Sequence, residues 1–334
     1  MDHSAPYRVC YLHVGTHSTG MTSIQRYCAD NDVALAAAGL LYPRAARLDP
    51  ESPGHHNVAF ELSGDERFAP RLPKLVDVVA EIASRRPAQA CLSSEIFEYL
   101  HVMPERMAEL RDALGSIGYS SAVIVYLRSQ ATYIEALYAE LVQRGLRMGF
   151  GSFLAGILRE GAFRYADVWT FRFDYSVLVD AFARAFGAES VVARPYAARL
   201  HPQALIADFF AVTAPPGTFL HADGEADVFY DQRRPSTGDV LRRLVSNRRP
   251  GPAATAAITR LLEFEPDAAA LPFEPLDAED IARVSERFAA DDALVATRWK
   301  IPLQPVTADR AARTDTPDAQ AVRRLIADVE SVLR

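Results

Sequence analysis

Short apolar runs alternate with helical sequence over the first two thirds of the chain. They lie at residues 7–14, 90–93, 122–127 and 190–193 and contain few charged side chains. Runs of this length without polar alternation are typical of strands that are buried on both faces of a parallel sheet. Because helical sequence separates them, we predict an α/β fold in which a parallel sheet is flanked by helices.

Capping residues mark two of the predicted helices. One is predicted to begin after Asp174, an N-cap residue, and to end at Gly187. The last helix is predicted to follow Thr316 and Pro317, an N-cap and a first-turn proline, and to run to Arg334.

Helical patterns dominate the chain after Pro202. Turns rich in proline and glycine interrupt them at 214–217 and 248–252, and residues 302–315 are polar and irregular. No further strand is predicted in this part. We therefore expect helical additions to the sheet rather than a second sheet.

The length and composition fit a globular protein with one large core. The 334 residues are 49% hydrophobic and 24% charged, and a single core stops growing near ~250–300 residues. We predict one α/β domain over residues 1–300, which becomes helical from about residue 202. An irregular linker and a C-terminal helix would follow over 301–334.

The compartment is predicted from what the sequence lacks. No apolar run reaches the ~18 residues that a bilayer requires. The first residues also lack the basic and apolar segments of a secretory signal. We expect a protein without a membrane span, located in the cytoplasm.

The charged and sulfur-containing residues narrow the classes of ligand. The net charge of −7 disfavours nucleic acid, which rewards dense positive surface. Cys10, Cys28 and Cys91 are far apart, so they predict buried thiols rather than a zinc site or disulfides. Lys74 and Lys300 are the only lysines, so arginine carries nearly all the positive charge.

A glycine-containing loop follows the first predicted strand and precedes a helix. It matches the phosphate-loop pattern G-x-x-x-x-G-K-[ST], with methionine in the lysine position. Such loops converge backbone N–H groups and a helix N-terminus on an anion, although they also occur merely to make a bend. Without lysine, a triphosphate is disfavoured. The residues of the candidate cradle are Gly15, Thr16, His17, Ser18, Thr19, Gly20, Met21, Thr22 and Ser23.

The loop and its surroundings resemble one family. The run HVGTHSTGMTSIQRY, followed by LAAAGLLYP at 35–43, is similar to bacterial 3′-phosphoadenylyl sulfate-dependent sulfotransferases, whose P-loop-like loop is close to H-x-G-x-H-K-T-G-T-T-S-x-Q. The resemblance implies that the loop binds the 5′-phosphosulfate of 3′-phosphoadenylyl sulfate. It also places Ser18 where the family has a lysine that stabilises charge on the bridging oxygen, and Met21 where it has threonine.

A second anion site is implied by the same resemblance. In the family, an arginine at a strand end and a serine eight positions later hold the 3′-phosphate of the nucleotide. Arg128 matches the arginine, whereas Ala136 occupies the serine position. Ser129 or Thr132 are alternative sources of a hydroxyl. Arg128 pairing with a surface carboxylate is the alternative explanation.

Three residues are candidates for acid–base chemistry. Glu95 is similar to a family segment that supplies a catalytic glutamate, although a glutamate at a helix start is also favoured by the helix dipole. His56, in the pair with His55, resembles a histidine-containing segment of bacterial members, and a polar loop is the alternative. His17 would, if protonated, replace part of the missing lysine charge.

The resemblance extends more weakly to about Trp299 and implies a sulfotransferase without a metal. The expected reaction transfers a sulfuryl group to a hydroxyl or amine of a carbohydrate or small-molecule acceptor. The sequence leaves the oligomeric state open, a homo-oligomer included. Alternatives are a catalytically impaired nucleotide-binding or scaffold protein, and a kinase-like enzyme, which the missing loop lysine disfavours.

Overall fold

The computed structural model describes residues 8–47, 53–65, 74–196, 202–213, 235–301 and 314–334. The turn predicted at 214–217 and most of the irregular segment predicted at 302–315 lie outside these residues. The chain forms two compact units. The described residues of the first unit are 8–127, 164–213 and 294–301 apart from the gaps above, and those of the second are 128–163, 235–293 and 314–334.

The central sheet has five strands in the order β2-β3-β1-β4-β7. β1 pairs in parallel with β3 and β4, and β2 pairs in parallel with β3. The predicted parallel α/β sheet flanked by helices is thus confirmed. The strands among the described residues are β1 Val9–His13, β2 Leu40–Leu41, β3 Gln89–Ser93, β4 Ser120–Arg128, β5 Ala162–Tyr165, β6 Trp169–Arg172 and β7 Val191–Tyr196.

Helices connect the strands and form most of the second unit. Two short 3₁₀ helices accompany them, Glu95–Val102 and Ala188–Ser190. The α-helices are α1 Met21–Asp30, α2 Asp32–Ala37, α3 His56–Ser63, α4 Leu75–Arg85, α5 Pro104–Ser116, α6 Gln130–Gln143, α7 Phe150–Glu160, α8 Tyr175–Phe186, α9 Pro202–Thr213, α10 Thr237–Arg248, α11 Pro252–Phe264, α12 Pro266–Ala270, α13 Ala278–Trp299 and α14 Pro317–Val332.

The register of the sheet determines which side chains meet at its carboxyl edge. His13, the last residue of β1, lies opposite Ser93 on β3 and Ile124 on β4. Segments that leave β1 and β3 therefore start side by side. Ligands of open α/β sheets bind at this edge.

Apolar side chains from α1, α9 and the strands form a core of the first unit. Burial raises the pKa of the Cys10 and Cys28 thiols to about 12, so they are inert side chains at neutral pH. All three cysteines are buried and free, as predicted. This core consists of Ile24, Cys28, Leu35, Leu40, Tyr42, Cys91, Ile124, Tyr126, Leu205, Ile206, Phe209 and Phe210.

The second unit is helical. Tyr138 of α6 stacks on Phe273, with ring centroids 5.5 Å apart and planes at 16°. Glu135 of α6 accepts a hydrogen bond from the Leu276 amide at 3.3 Å. Because α6 packs with the later helices in this way, residues 128–163 belong to the same compact unit as residues 235–293.

The helix ends agree with the capping residues. α8 is bounded by Asp174 and Gly187, and the Thr316 hydroxyl accepts from the Ala319 amide at the start of α14. The separate two-stranded sheet formed by β5 and β6 was not predicted. Each strand has four residues, and their turn uses Ala166 at a φ of 52° rather than a glycine, so the usual turn signal is missing.

Candidate active site at the carboxyl edge of the sheet

The glycine loop, residues 15–20, extends the pairing of β1 with β4 and then enters α1. The Thr16 amide donates to the Tyr126 carbonyl at 3.0 Å, and the Tyr126 amide donates to the Gly15 carbonyl at 2.8 Å. Gly15 has a φ of 117° and Gly20 a φ of 78°. Both values lie in the region that favours glycine, which explains the spacing of the two glycines.

Several predicted donor-site residues stabilise the loop from within. The Thr16 hydroxyl donates to the Tyr126 carbonyl at 3.2 Å, and the Thr19 hydroxyl donates to the Thr16 carbonyl. Thr16, Thr19, Met21 and Ser23 are buried, whereas Ser18 and Thr22 are half-buried. A bound anion would therefore meet the loop through residues 18–22 rather than through its whole length.

His17 is enclosed by the protein. Its backbone N–H donates to Glu98 Oε2 at 3.0 Å, and its Nδ1 lies 2.9 Å from the same oxygen. The Tyr99 hydroxyl lies 2.9 Å from Nε2. The side chains of His17 and Glu98 are each only 1% exposed. Both ring nitrogens therefore have protein partners, and the role of His17 in replacing part of the lysine charge stays a prediction.

Glu98 was missed by the sequence analysis. It lies three residues after Glu95 in the 3₁₀ helix that follows β3, and about three residues make one turn of such a helix. Both glutamates consequently project towards the same edge of the sheet. The signal that would have found Glu98 is the E-x-x-E spacing immediately after a buried strand.

Glu95 joins the glycine loop to the acid–base candidates. Gln25 of α1 donates from Nε2 to Glu95 Oε2 at 3.2 Å and to the Ser93 hydroxyl at 3.3 Å. Burial raises the pKa of Glu95, but the charges of His56 and His17, with the Gln25 bond, outweigh it and lower the pKa to about 2. Glu95 is therefore a carboxylate at neutral pH and a weak base.

His56 lies beside Glu95 at the start of α3. Its Nδ1 is 2.8 Å from the Ser94 hydroxyl and 3.8 Å from Glu95 Oε2. Gly54 passes close to the opposite side of the ring, where a Cβ would lie 2.6 Å from Nε2. The missing side chain at Gly54 thus provides the space in which Nε2 sits.

The neighbouring histidine, His55, has a structural role. Its Nε2 donates to the Pro43 carbonyl at 2.9 Å, and its Nδ1 accepts from the Ser93 amide at 3.1 Å. Burial lowers the pKa of His55 to about 3, so the ring is neutral. The two adjacent histidines therefore differ, and only His56 faces Glu95.

Arg128 and Ala136 belong to the second unit. Arg128 is 5% exposed, and its Nε donates to the Thr132 hydroxyl at 2.9 Å. The Ser129 hydroxyl also lies 2.9 Å from the Thr132 hydroxyl. Thr132 precedes Ala136 by four residues on α6, which places both on one helix face. A hydroxyl thus adjoins Arg128 one turn before the position expected from the family.

The described residues were also compared with the requirements of a metal site and of a membrane-spanning helix. In the described parts of the chain, no three His, Cys, Asp or Glu side chains converge as metal ligands do. None of the helices resolved over those same ranges has the length and apolar character for crossing a bilayer.

The edge of the sheet thus combines a glycine loop, the start of α1, and a carboxylate beside an imidazole. Such a set can hold an anion through backbone N–H groups and can accept a proton from a nearby hydroxyl or amine. The proposed function depends on this anion-binding and proton-accepting chemistry. The chain matches no protein-family model, no curated protein and no solved structure.

Proposed function

We propose that the protein transfers a sulfuryl group from 3′-phosphoadenylyl sulfate to a hydroxyl or amine of a carbohydrate or small metabolite, in the cytoplasm. The observation that carries this proposal is the 3.2 Å hydrogen bond from Gln25 to Glu95. It links the helix that begins at the glycine loop to the carboxylate–imidazole pair. The proposed cradle for the 5′-phosphosulfate and the proposed acceptor side thereby belong to one unit.

The donor's 5′-phosphosulfate would lie against residues 18–22 and the N-terminus of α1. The first turn of α1 contains no acidic residue, so its positive dipole end is not neutralised there. The half-buried Ser18 and Thr22 supply hydroxyls. The resemblance assigns the 3′-phosphate to Arg128, whose guanidinium suits a phosphate.

On the acceptor side, His56 is the proposed proton acceptor. With its proton on Nδ1, facing Ser94 and Glu95, the ring presents Nε2 as a base. Glu95 would stabilise the imidazolium that forms, since its low pKa makes it a poor base. This division of roles resembles that of the carboxylate and histidine in a catalytic triad.

The reaction is balanced by these groups. The acceptor oxygen or nitrogen forms a bond to sulfur while the bond from sulfur to the bridging phosphate oxygen breaks. The acceptor's proton moves to His56, and the electron pair leaves with 3′,5′-adenosine bisphosphate. Because Ser18 replaces lysine, the developing charge rests on backbone N–H groups and Thr22. Removing one such donor typically costs ~10²–10³ in rate, so we expect slow turnover.

A catalytically impaired binding or scaffold protein is the second candidate. The observation that favours it is the Glu98 carboxylate, which lies against the glycine loop and accepts from the His17 amide. A negative group in that place, without a loop lysine, disfavours a highly charged donor. This candidate predicts nucleotide binding without transfer.

A transfer assay separates the two candidates. Donor labelled in the sulfuryl group is incubated with a panel of carbohydrate and amine acceptors and with wild type, Ser18→Lys or Glu95→Gln. The proposal expects slow transfer by wild type, faster transfer by Ser18→Lys and slower transfer by Glu95→Gln. Transfer by Ser18→Lys alone supports the impaired protein. No transfer by any variant, at concentrations where the donor binds, contradicts the enzymatic proposal.

A further inference from the structure

We propose that Glu98 and Tyr99 are positioning residues that act on the donor through His17, and that donor binding takes up a proton at the His17 imidazole. This inference rests on the proposed function. It concerns three buried residues that contact one another inside the first unit.

The hydrogen bonds allow two protonation states of the ring. An ionised carboxylate only accepts, so Glu98 Oε2, 2.9 Å from Nδ1, assigns a proton to Nδ1. The Tyr99 hydroxyl, 2.9 Å from Nε2, can either donate or accept. The ring can therefore be neutral, with Tyr99 donating, or charged, with Nε2–H donating. The heavy atoms need not move between these two states.

The charge state of His17 decides the charge next to the donor. Glu98 lies against the loop backbone, since a Cβ on Gly15 would be 3.6 Å from its Oε2. Both side chains are buried, so solvent screens their charges weakly. With a neutral ring, Glu98 leaves one negative charge beside the phosphosulfate. With an imidazolium, the pair is neutral.

An anionic donor therefore binds better to the protonated ring. By linkage, the donor then raises the proton occupancy of His17. In this way, a chain with Ser18 in the lysine position lowers the electrostatic repulsion between Glu98 and the anionic donor. The proton arrives with the ligand instead of residing permanently on a lysine.

The surroundings of His17 allow this charge change. Glu98 and Tyr99 face it from the 3₁₀ helix Glu95–Val102, and Glu95 of that helix is within electrostatic range. β6 contributes the Phe171 ring, 5.0 Å from the imidazole centroid. The two carboxylates favour the imidazolium and the Phe171 ring carries no charge, whereas Arg172, the next residue of β6, is a cation whose charge acts on the buried His101 of the same 3₁₀ helix.

Calorimetry of 3′,5′-adenosine bisphosphate tests the inference. Titration in two buffers with different ionisation heats gives the number of protons taken up. Wild type is expected to take up a fraction of a proton near neutral pH, and its affinity is expected to fall by up to about tenfold per pH unit as the pH rises. Proton uptake of zero, with clear binding, would overturn this inference and leave the proposed function standing. No binding by wild type would instead count against the proposed function.

Two variants test the assigned residues. Glu98→Gln keeps an oxygen for the His17 amide but removes the charge, so uptake should disappear and affinity should no longer depend on pH. Tyr99→Phe removes the acceptor for Nε2–H, so affinity should fall about tenfold at low pH.

Matched controls are available in the same unit. Glu109→Gln alters an exposed glutamate paired with Arg106. Tyr119→Phe alters a buried tyrosine whose hydroxyl bonds to Pro87 near the amino end of β4. Both should bind as wild type does. A Glu98→Gln protein that binds with wild-type pH dependence contradicts the assignment. If that variant fails to fold, a proton count of zero in wild type still contradicts the assignment.

Discussion

Substitution of Gly54 by alanine tests how the acid–base pair is arranged. A Cβ at this position would lie 2.6 Å from His56 Nε2 and 2.9 Å from Gln25 Cδ. Real Cβ atoms essentially never show contacts under 3.0 Å, so something must shift. Both neighbours are side chains, and the imidazole is expected to move because it meets the closest approach.

The size of the effect follows from these distances. Overpacking a buried site costs ~1–3 kcal/mol of stability, so Gly54→Ala should remain folded. A displacement of the imidazole by ~1 Å is enough to lower turnover by ~10²-fold. Catalysis should thus suffer more than stability.

The assay combines sulfuryl transfer with thermal unfolding. Gly115→Ala is the matched control, because its Cβ would meet no atom within 4 Å on α5. The control should retain full turnover and an unchanged or slightly higher melting temperature. Wild-type turnover by Gly54→Ala would contradict this prediction, because it would mean that His56 keeps its working position next to the added methyl group.

Four further predictions concern charge and the donor. The pKa of Glu95 is lowered to about 2 in the folded protein, so its stabilising contribution is present above its ordinary pKa and is lost as the pH falls towards about 2. In urea unfolding over that acid range, wild type should therefore lose more stability than Glu95→Gln. Ser18→Lys should raise turnover by up to ~10²–10³ while affinity for 3′,5′-adenosine bisphosphate changes less, because the lysine acts mainly in the transition state; a larger gain in affinity than in turnover would contradict this. Arg128→Ala should abolish the increase in melting temperature caused by 3′,5′-adenosine bisphosphate. Ala136→Ser should strengthen binding by about 1 kcal/mol, because it offers the phosphate a second hydroxyl. An unchanged melting shift in Arg128→Ala would exclude Arg128 from the site, and one in Ala136→Ser would show that the added hydroxyl does not reach the phosphate.

The sheet and the loop were predictable because local sequence determines them. The strand β1 is a short apolar run, and Gly15 and Gly20 adopt the positive φ values that their positions require. The ends of α8 and α14 likewise follow from caps that act within a few residues. In each case the sequence signal and the stabilising contact are close together in the chain.

The surroundings of the loop were not predictable in the same way. His17 and Glu98 are 81 residues apart, and their contact depends on the parallel register of β1 with β3. Burial of the pair also follows from β6, which the sequence did not indicate. The joining of α6 to the C-terminal helices depends on contacts as distant in sequence as that of the Glu135 carboxylate with the Leu276 amide. Such long-range contacts leave no local pattern in a single sequence.

Calorimetric titration of the wild-type chain with 3′,5′-adenosine bisphosphate tests whether the glycine loop binds a sulfonucleotide. If the glycine loop is a sulfonucleotide site, binding saturates at one equivalent, and adenosine without phosphates gives no heat. Absence of binding at millimolar ligand, by wild type and by the Ser18→Lys, Ala136→Ser double variant, would contradict the assignment of the site.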